Sequence, residues 1–330
     1  MNIFEFLGKP ADWRTGDKVV QLVKHFDDVN KRLDEGILHK QVSFPIYAQC
    51  KKDGNFAALV VRADGEVALF NRRGSRFTNC ENVEAYWKGA GIDAGVYFGE
   101  ICSEGCSLEQ LSGVINPNRV KELDYEQKLI KHRLNIFFFD MVTICEFISG
   151  HSHHKYNSHR FGAMVQQIDG YGDWLALDVV NNEAELRAYA KRMINNGQEG
   201  AVFKQDVEWL AGAKDWHQMK IVRGVSYDLV CIGTEEGTGK YTGKVANLLL
   251  RWKNGKTIKA MLGKGWTHAD AHYMYNCVNY GKIVGMPEHE HKDSPVGKIF
   301  EVYALQESSK GVLRLPKVGE LRHDKSEADI

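Results

Sequence analysis

The longest apolar runs in this chain, such as Ile136–Met141, have only strand length. None approaches the roughly 20 residues of a membrane-crossing helix, so a core has to be assembled from many short strands joined by turns. Phe56–Val61 and Glu66–Phe70 flank Ala63-Asp64-Gly65, and Asp-Gly between such runs is a strong hairpin signal. Ile46–Lys51, Gly95–Cys102, Leu134–Met141 and Gly200–Lys204 read as further strands. Between residues 16 and 35, Val19, Val20, Leu22, Val23, Phe26, Val29 and Leu33 recur at helical spacing and predict an N-terminal helix. Asn182 with Glu185 predicts a capping box that opens a helix to about Asn196, ended by Gly197.

The character changes near Ile221. Beyond it the chain is punctuated by glycine, with short β-type runs at Tyr227–Ile232, Asn247–Trp252, Thr257–Leu262 and Ile299–Leu305, a pattern that fits a small barrel. We therefore expect two domains, 1–222 and 223–330, in keeping with a length of 330 residues. Hydrophobic residues at 43% and charged residues at 26% exclude a disordered tail, a collagen-like chain and a disulfide-dense miniprotein. Seven cysteines without a CxxC pair read as reduced thiols. The start of the chain lacks signal-peptide character, so the expected location is cytoplasmic, in a bacterium or a phage-infected host.

Lys+Arg and Asp+Glu both number 43, a net charge of zero that gives no whole-chain hint of a nucleic-acid partner. The sum hides a local excess. Residues 221–330 carry 16 Lys+Arg against 13 Asp+Glu. Lys240, Lys244, Arg251, Lys253, Lys256, Lys259 and Lys264 fall in one stretch with no acid. That stretch reads as a phosphate-tracking face with salt-sensitive binding; a lysine-guarded hairpin edge is the plainer alternative.

Chemistry is concentrated in an ordered series. Lys51-Lys52-Asp53-Gly54 lies at a strand-to-turn junction, where a lysine can be a nucleophile only if its surroundings favour the neutral amine. Alone it would be a solvated turn. It is followed by Asn71-Arg72-Arg73-Gly74, Phe98-Gly99-Glu100, Phe137-Phe138-Phe139-Asp140, Glu199-Gly200-Ala201-Val202-Phe203-Lys204, Trp216-His217-Gln218-Met219-Lys220 and Arg322-His323-Asp324-Lys325. In this order the pieces resemble the covalent nucleotidyltransferase superfamily, and within it the small ATP-dependent DNA ligases of the viral and phage type.

The resemblance implies an α+β fold: an ATP-grasp-like nucleotidyltransferase domain of antiparallel sheets plus helices, then a C-terminal OB-fold β-barrel. It implies sealing of 3′-OH/5′-phosphate nicks in duplex DNA through a lysyl-AMP intermediate, by a monomer, with ATP and Mg2+ (or Mn2+) and no membrane partner. Lys51 would be the nucleophile. Lys220 would contact the α-phosphate, Glu100 the ribose, Arg72 the AMP and nick phosphates, and Phe139 would stack on adenine, with Phe137 as second choice. Gln49, Lys204 and Gln218 would complete the nucleotide site, and Glu199, Glu100 and Asp53 are the candidate metal ligands. Arg322, Asp324 and Lys325 would orient pyrophosphate during lysine adenylation. Arg73 and Arg76 join the barrel cations as candidate DNA contacts.

Three positions depart from the family pattern. Phe56 stands where arginine is usual, Gln218 replaces a lysine, and Gln49 replaces a frequent glutamate. Fewer cations near the phosphates weaken electrostatic stabilisation, so a shifted strand preference or step balance is expected. Two other features are set aside. Gly237-Thr238-Gly239-Lys240 fails the P-loop spacing and reads as a barrel hairpin. His151, His153, His154 and His159 lie in a polar stretch that reads as a solvated loop. An RNA ligase, an mRNA capping guanylyltransferase and a non-catalytic binding module are the alternatives. With 50 residues before Lys51, no separate N-terminal DNA-binding domain is expected.

Overall fold

The computed structural model describes residues 1–14, 18–30, 38–283, 287, 291–308 and 310–330, apart from the side chains of 281–283. The chain divides into two compact units, Met1–Val222 and Arg223–Ile330.

The first unit holds two five-stranded sheets. In one, the strand order is Lys24–His25, Gln218–Val222, Gly200–Lys204, Ile46–Lys51 and Asp178–Val180. In the other it is Val67–Phe70, Asn55–Val61, Gly95–Ser103, Leu134–Val142 and Asp173–Trp174. Most neighbours are antiparallel, and the Asn55–Val61/Val67–Phe70 pair is the expected hairpin. The second sheet is buried on both faces. Leu59, Leu69, Tyr97 and Phe138 pack on one side with the helices. Ala58, Phe70, Phe98 and Val142 pack on the other with Phe4, Phe147 and Trp209. Burial on both faces explains why Asn55–Val61 reads as an unbroken apolar run and not as an alternating one.

The helix Glu183–Asn195 begins where expected, with the Asn182 side chain accepting the Glu185 N–H, and Gly197 follows at φ +79. The proposed helix over 16–35 is not formed as such. Residues 15–17 and 31–37 lie outside the described residues. Between them the chain runs irregularly to Lys24–His25, which pairs parallel with Met219–Lys220, and only Phe26–Asn30 is helical. Val19 and Val20 are buried against the second sheet, whereas Phe26 and Val29 pack on the first. The apolar residues serve two cores, and this defeats the helical pattern.

The second unit is a closed barrel in the order Val225–Glu236, Val245–Arg251, Thr257–Leu262, Lys317–Leu321, Ile299–Ala304. Leu229, Cys231, Leu248, Leu250, Trp252, Phe300, Val302 and Val318 fill it. The last strand and the helix His268–Ile283 were not legible as elements. The strand is short and holds a glycine, and the helix is rich in Tyr, His and Asn. Gly237 and Lys244 close the hairpin between the first two barrel strands through a Gly237 N–H to Lys244 carbonyl bond of 2.9 Å. His151, His153 and His154 lie in a strand and not a loop, His151–Lys155, which pairs with Glu208–Leu210, and His159 lies in the helical turn Tyr156–Phe161. All seven cysteines are free. Among the described residues no helix is long and apolar enough to cross a membrane.

Asp140 and Arg160 form an ion pair, 1% and 4% exposed, with Nε and Nη2 of Arg160 each 3.0 Å from a carboxylate oxygen. Removing one partner strands a buried charge, which costs about 3–5 kcal/mol. Arg160→Met is expected to lower the unfolding free energy of the first unit, measured by urea denaturation, by that amount, whereas Asp140→Asn paired with Arg160→Met recovers part of the loss.

Candidate active site

The two sheets of the first unit face each other across a cavity of about 470 Å3. Strand register determines which side chains look into it. Gln49 lies opposite Val202, and Val202 opposite Lys220; Lys51 lies opposite Gly200; Lys204 lies opposite both Tyr47 and Gln218. Because side chains on a strand alternate with period two, Gln49, Lys51, Lys204, Gln218 and Lys220 share one face. From the other sheet, Phe56 pairs with Glu100, and Phe98 with Asp140. Gln49, Lys51, Arg72, Arg73, Glu100, Phe139, Lys204 and Gln218 all line the cavity.

Lys51 ends its strand, and its Nζ donates to Glu199 Oε2 at 2.6 Å. Glu199 is 7% exposed. Gly200 after it has φ +152, and a Cβ there would lie 2.2 Å from the Ile221 carbonyl oxygen. Only glycine allows this strand to close so tightly on Ile221–Val222, the end of the strand that carries Lys220. The same holds for Gly54, where a Cβ would meet the Ile101 carbonyl oxygen at 2.5 Å and Glu100 Cγ at 2.9 Å.

Burial pushes the Lys220 ammonium below its usual pKa. Lys51 acts in the same direction, Glu199 opposes it, and Lys214 and Arg72 add to the depression. Burial pushes the Glu100 carboxyl up to about 7, against the opposing pull of Lys51, with Glu199 adding to the rise. The site therefore sets cations and carboxylates against one another around Lys51.

Gln49 is 1% exposed. Its Nε2 donates to the Leu175 carbonyl at 2.9 Å, while its Oε1 is buried without a hydrogen-bond partner. Such an acceptor is costly to leave unmet, and it fits a ligand bearing an amino group. Gln218, in place of a family lysine, donates from Nε2 to Gln21 Oε1 at 3.0 Å. Arg72 and Arg73 are exposed on a tight turn in which Asn71 Oδ1 accepts the Arg73 and Ser75 N–H groups.

The strand Leu134–Val142 carries a bulge. Phe98 pairs with Asp140 and Gly99 with Phe138, so Phe139 has no partner across the strand pair. Ile136 and Phe138 point to the opposite core, so Phe137 and Phe139 keep one face of the strand. Phe139 lines the cavity, while Phe137, across from Glu100, lies under Lys52, 4.3 Å from the ring centroid. Phe138 is fully buried.

Among the described residues no three His, Cys, Asp or Glu side chains group as metal ligands. Glu199, Glu100 and Asp53 therefore do not build a metal site by themselves. A magnesium ion characteristically takes one or two carboxylates and completes its shell with water and substrate phosphates, and the residues present fit that mode only.

The barrel cations are less bare than their run in the sequence indicates. Lys253 is paired with Glu307 at 2.8 Å, and Lys259 with Glu235. Lys244 and Lys256 donate to the Lys240 and Lys310 carbonyls at 3.2 and 3.4 Å. Acids distant in sequence return to this face, so the local net charge is lower than expected. Arg76 is likewise held at 2.6 Å by Glu84, itself 9% exposed. Arg322, Asp324 and Lys325 form a network inside the barrel unit. Arg322 Nη1 lies 3.0 Å from Asp228 Oδ2, Arg322 Nη2 lies 2.7 Å from Asp324, and Lys325 also meets Asp228. Asp228, Asp140, Arg160 and Tyr156 were missed as structural supports. Buried Asp-Arg pairing leaves no local sequence signal.

A paired-sheet cleft with a lysine held by a carboxylate, followed by a five-stranded barrel, has the architecture of covalent nucleotidyltransferases that carry an OB domain. Residues 236–322 match the DNA ligase OB-like domain. A DNA ligase of Nitrosopumilus maritimus is 23% identical over 311 residues, covering 84% of this chain and 51% of its own. The chain spans about half of that relative or less of others, down to 38% for a Saccharolobus islandicus DNA ligase. Among solved structures, Pmar-Lig_PreS3 has a TM-score of 0.69 at 16% identity, covering 92% of this chain and 67% of that one. A structure from work on DNA binding by the minimal scaffold of Lig E DNA ligases has a TM-score of 0.62 at 15% identity, covering 92% and 98%. The resemblance to small ATP-dependent DNA ligases therefore stands, and the fold is theirs.

Glu100 gives a pH test. Its pKa of about 7 in the folded chain lies above the ordinary 4.5. The folded state therefore holds a proton that the unfolded chain releases, and stability falls as pH rises from about 4.5 to about 7. Glu100→Gln is expected to raise the unfolding free energy measured by urea denaturation at pH 8, on the order of 1–3 kcal/mol, with the two proteins converging below pH 4.5. An equal difference at both pH values would show that Glu100 is not the titrating group.

Proposed function

We propose that this chain is an ATP-dependent ligase that seals 3′-OH/5′-phosphate nicks in duplex DNA. The observation that carries the reading is the Lys51–Glu199 pair at 2.6 Å, with Lys51 lining a cavity of nucleotide size.

In the first step the Lys51 amine attacks the ATP α-phosphorus. An N–P bond forms, the P–O bond to the β-phosphate breaks, and pyrophosphate leaves. Glu199 is the group in contact with the Lys51 ammonium and takes its proton. Lys220 and Arg72 face the charge that grows on the phosphate oxygens. In the second step an oxygen of the 5′-phosphate displaces Lys51, which restores the amine and leaves an AMP-capped end. In the third the 3′-hydroxyl attacks the capped phosphate, the phosphodiester bond forms and AMP leaves. Magnesium, delivered with the polyphosphate, would neutralise phosphate charge next to Glu199. Arg322 and Lys325 are assigned to the pyrophosphate of the first step.

Base choice follows from Gln49. Its Nε2 is committed to the Leu175 carbonyl, so Oε1 offers only an acceptor to the base. The adenine amino group can donate to it, whereas guanine would set a carbonyl oxygen against it. This favours an ATP-using ligase over a guanylyltransferase. Incubation with α-phosphate-labelled ATP or GTP is expected to label the protein from ATP alone, and Lys51→Ala to abolish both labelling and sealing. A lysyl-GMP adduct, or sealing by Lys51→Ala, would overturn the reading. Varying each strand of the nick between DNA and RNA separates a DNA ligase from an RNA ligase.

Electrostatic grip on the duplex is expected to be salt-sensitive. Lys244→Ala with Lys256→Ala should reduce the slope of log affinity against log salt by about 2, measured by filter binding. Lys259→Ala, whose charge is already met by Glu235, should change it less.

A further inference from the structure

Phe139 is the extra residue of a strand bulge, and its carbonyl is held by two side chains from elsewhere in the chain. Tyr156 Oη donates to it at 2.9 Å and Lys204 Nζ donates to it at 2.9 Å. Both oxygen lone pairs are thereby filled. The donors are among the most buried polar groups of the molecule, Tyr156 at 1% and Lys204 at 2% exposure. The Lys204 nitrogen also lies 4.6 Å from the Phe139 ring centroid and 4.2 Å from that of Tyr156. Tyr156 opens a π-helical turn, Tyr156–Phe161, and Arg160 of the same turn grips Asp140, the residue after Phe139. Bulges re-aim side chains, and π-turns concentrate at functional sites.

We propose that Tyr156 and Lys204 are positioning residues for the nucleotide base: together they clamp the Phe139 carbonyl and so determine where the Phe139 ring stands in the cavity. The proposal rests on the reading that Phe139 stacks on the base. It assigns Lys204 an action through Phe139. An ammonium beside a ring draws electron density from it, which favours stacking on an electron-rich purine. Burial holds the Lys204 pKa down to about 7; Asp140, the first charged neighbour, opposes this and Arg160 reinforces it. Part of the clamp's charge is therefore lost as pH rises through neutrality.

The test uses the full chain and lysyl-AMP formation from ATP, with sealing of a pre-adenylated nick as a second readout. Tyr156→Phe and Lys204→Met keep shape and remove one donor each. Each is expected to raise KM for ATP about three- to tenfold with a smaller change in kcat, and to raise KM for the pre-adenylated nick in the same direction, because its AMP group occupies the same site. Because either donor alone still holds the carbonyl, the double variant is expected to exceed the product of the singles. The rise of wild-type KM between pH 6 and 8 is expected to be lost in Lys204→Met and kept in Tyr156→Phe. A KM unchanged in both singles while the thermal midpoint falls, or a double variant equal to the product with no pH difference, overturns the clamp. Phe139→Leu separates the two levels. If it leaves KM unchanged, stacking itself fails; if it raises KM while the clamp variants do not, only the clamp fails.

Discussion

A lysine that acts as a nucleophile near phosphates faces opposing demands. It must be able to lose its proton, yet the surroundings must stay positive enough to hold an anionic substrate. Under the proposed function the Lys51–Glu199 contact at 2.6 Å is where these demands would meet, and several features of the first unit surround it. Next to Glu199, Gly200 lets its strand close on Ile221–Val222 to a separation no Cβ would tolerate. Gly54 does the same on the other side, so that the turn after Lys51 lies against the strand carrying Glu100. The result is a ring of alternating charges, in which Lys220 is pushed toward neutrality and Glu100 toward protonation. Each distortion has a neighbour that opposes it, and this allows four ionisable groups to share one partly buried space.

Much of this was legible in the sequence because strands were short and alternation was regular. Ile46–Lys51, Gly200–Lys204 and Thr257–Leu262 fall at the expected residues. Their alternation put Gln49, Lys51, Lys204, Gln218 and Lys220 on one face. Failures came where one residue served two masters. The apolar positions between 16 and 35 divide between two cores, so their helical spacing misled. Phe137 and Phe139 share a face, but the bulge at Phe139 sets Asp140 opposite Phe98. Nothing in four consecutive aromatic and acidic residues announces it. The Phe139 carbonyl is met there by Tyr156 and Lys204, which are 17 and 65 residues away. The barrel charges show the same limit. A stretch without acids looked bare because Glu235 and Glu307, which answer it, lie outside that stretch.

The departures from the family pattern acquire physical content in the same way. Phe56 packs beside Phe98 and Phe139, with centroids 5.9 and 6.1 Å away. A guanidinium there would lie against these rings, across the strand pair from Glu100. The aromatic residue instead continues the wall that begins at Phe139. Gln218 gives up a charge but gains Gln21, tying the segment before Lys24–His25 to the strand that carries Lys220. That segment lines the cavity from Val20 to Val23. The site thus has fewer cations and more packed, neutral walls than the pattern it resembles. Under the proposed function its hold on a nucleotide would rest more on the placement of Phe139 and the unmet acceptor of Gln49, and less on attraction to phosphate. Such a balance makes the geometry of the base, and hence whatever fixes the Phe139 carbonyl, the more sensitive part of the site.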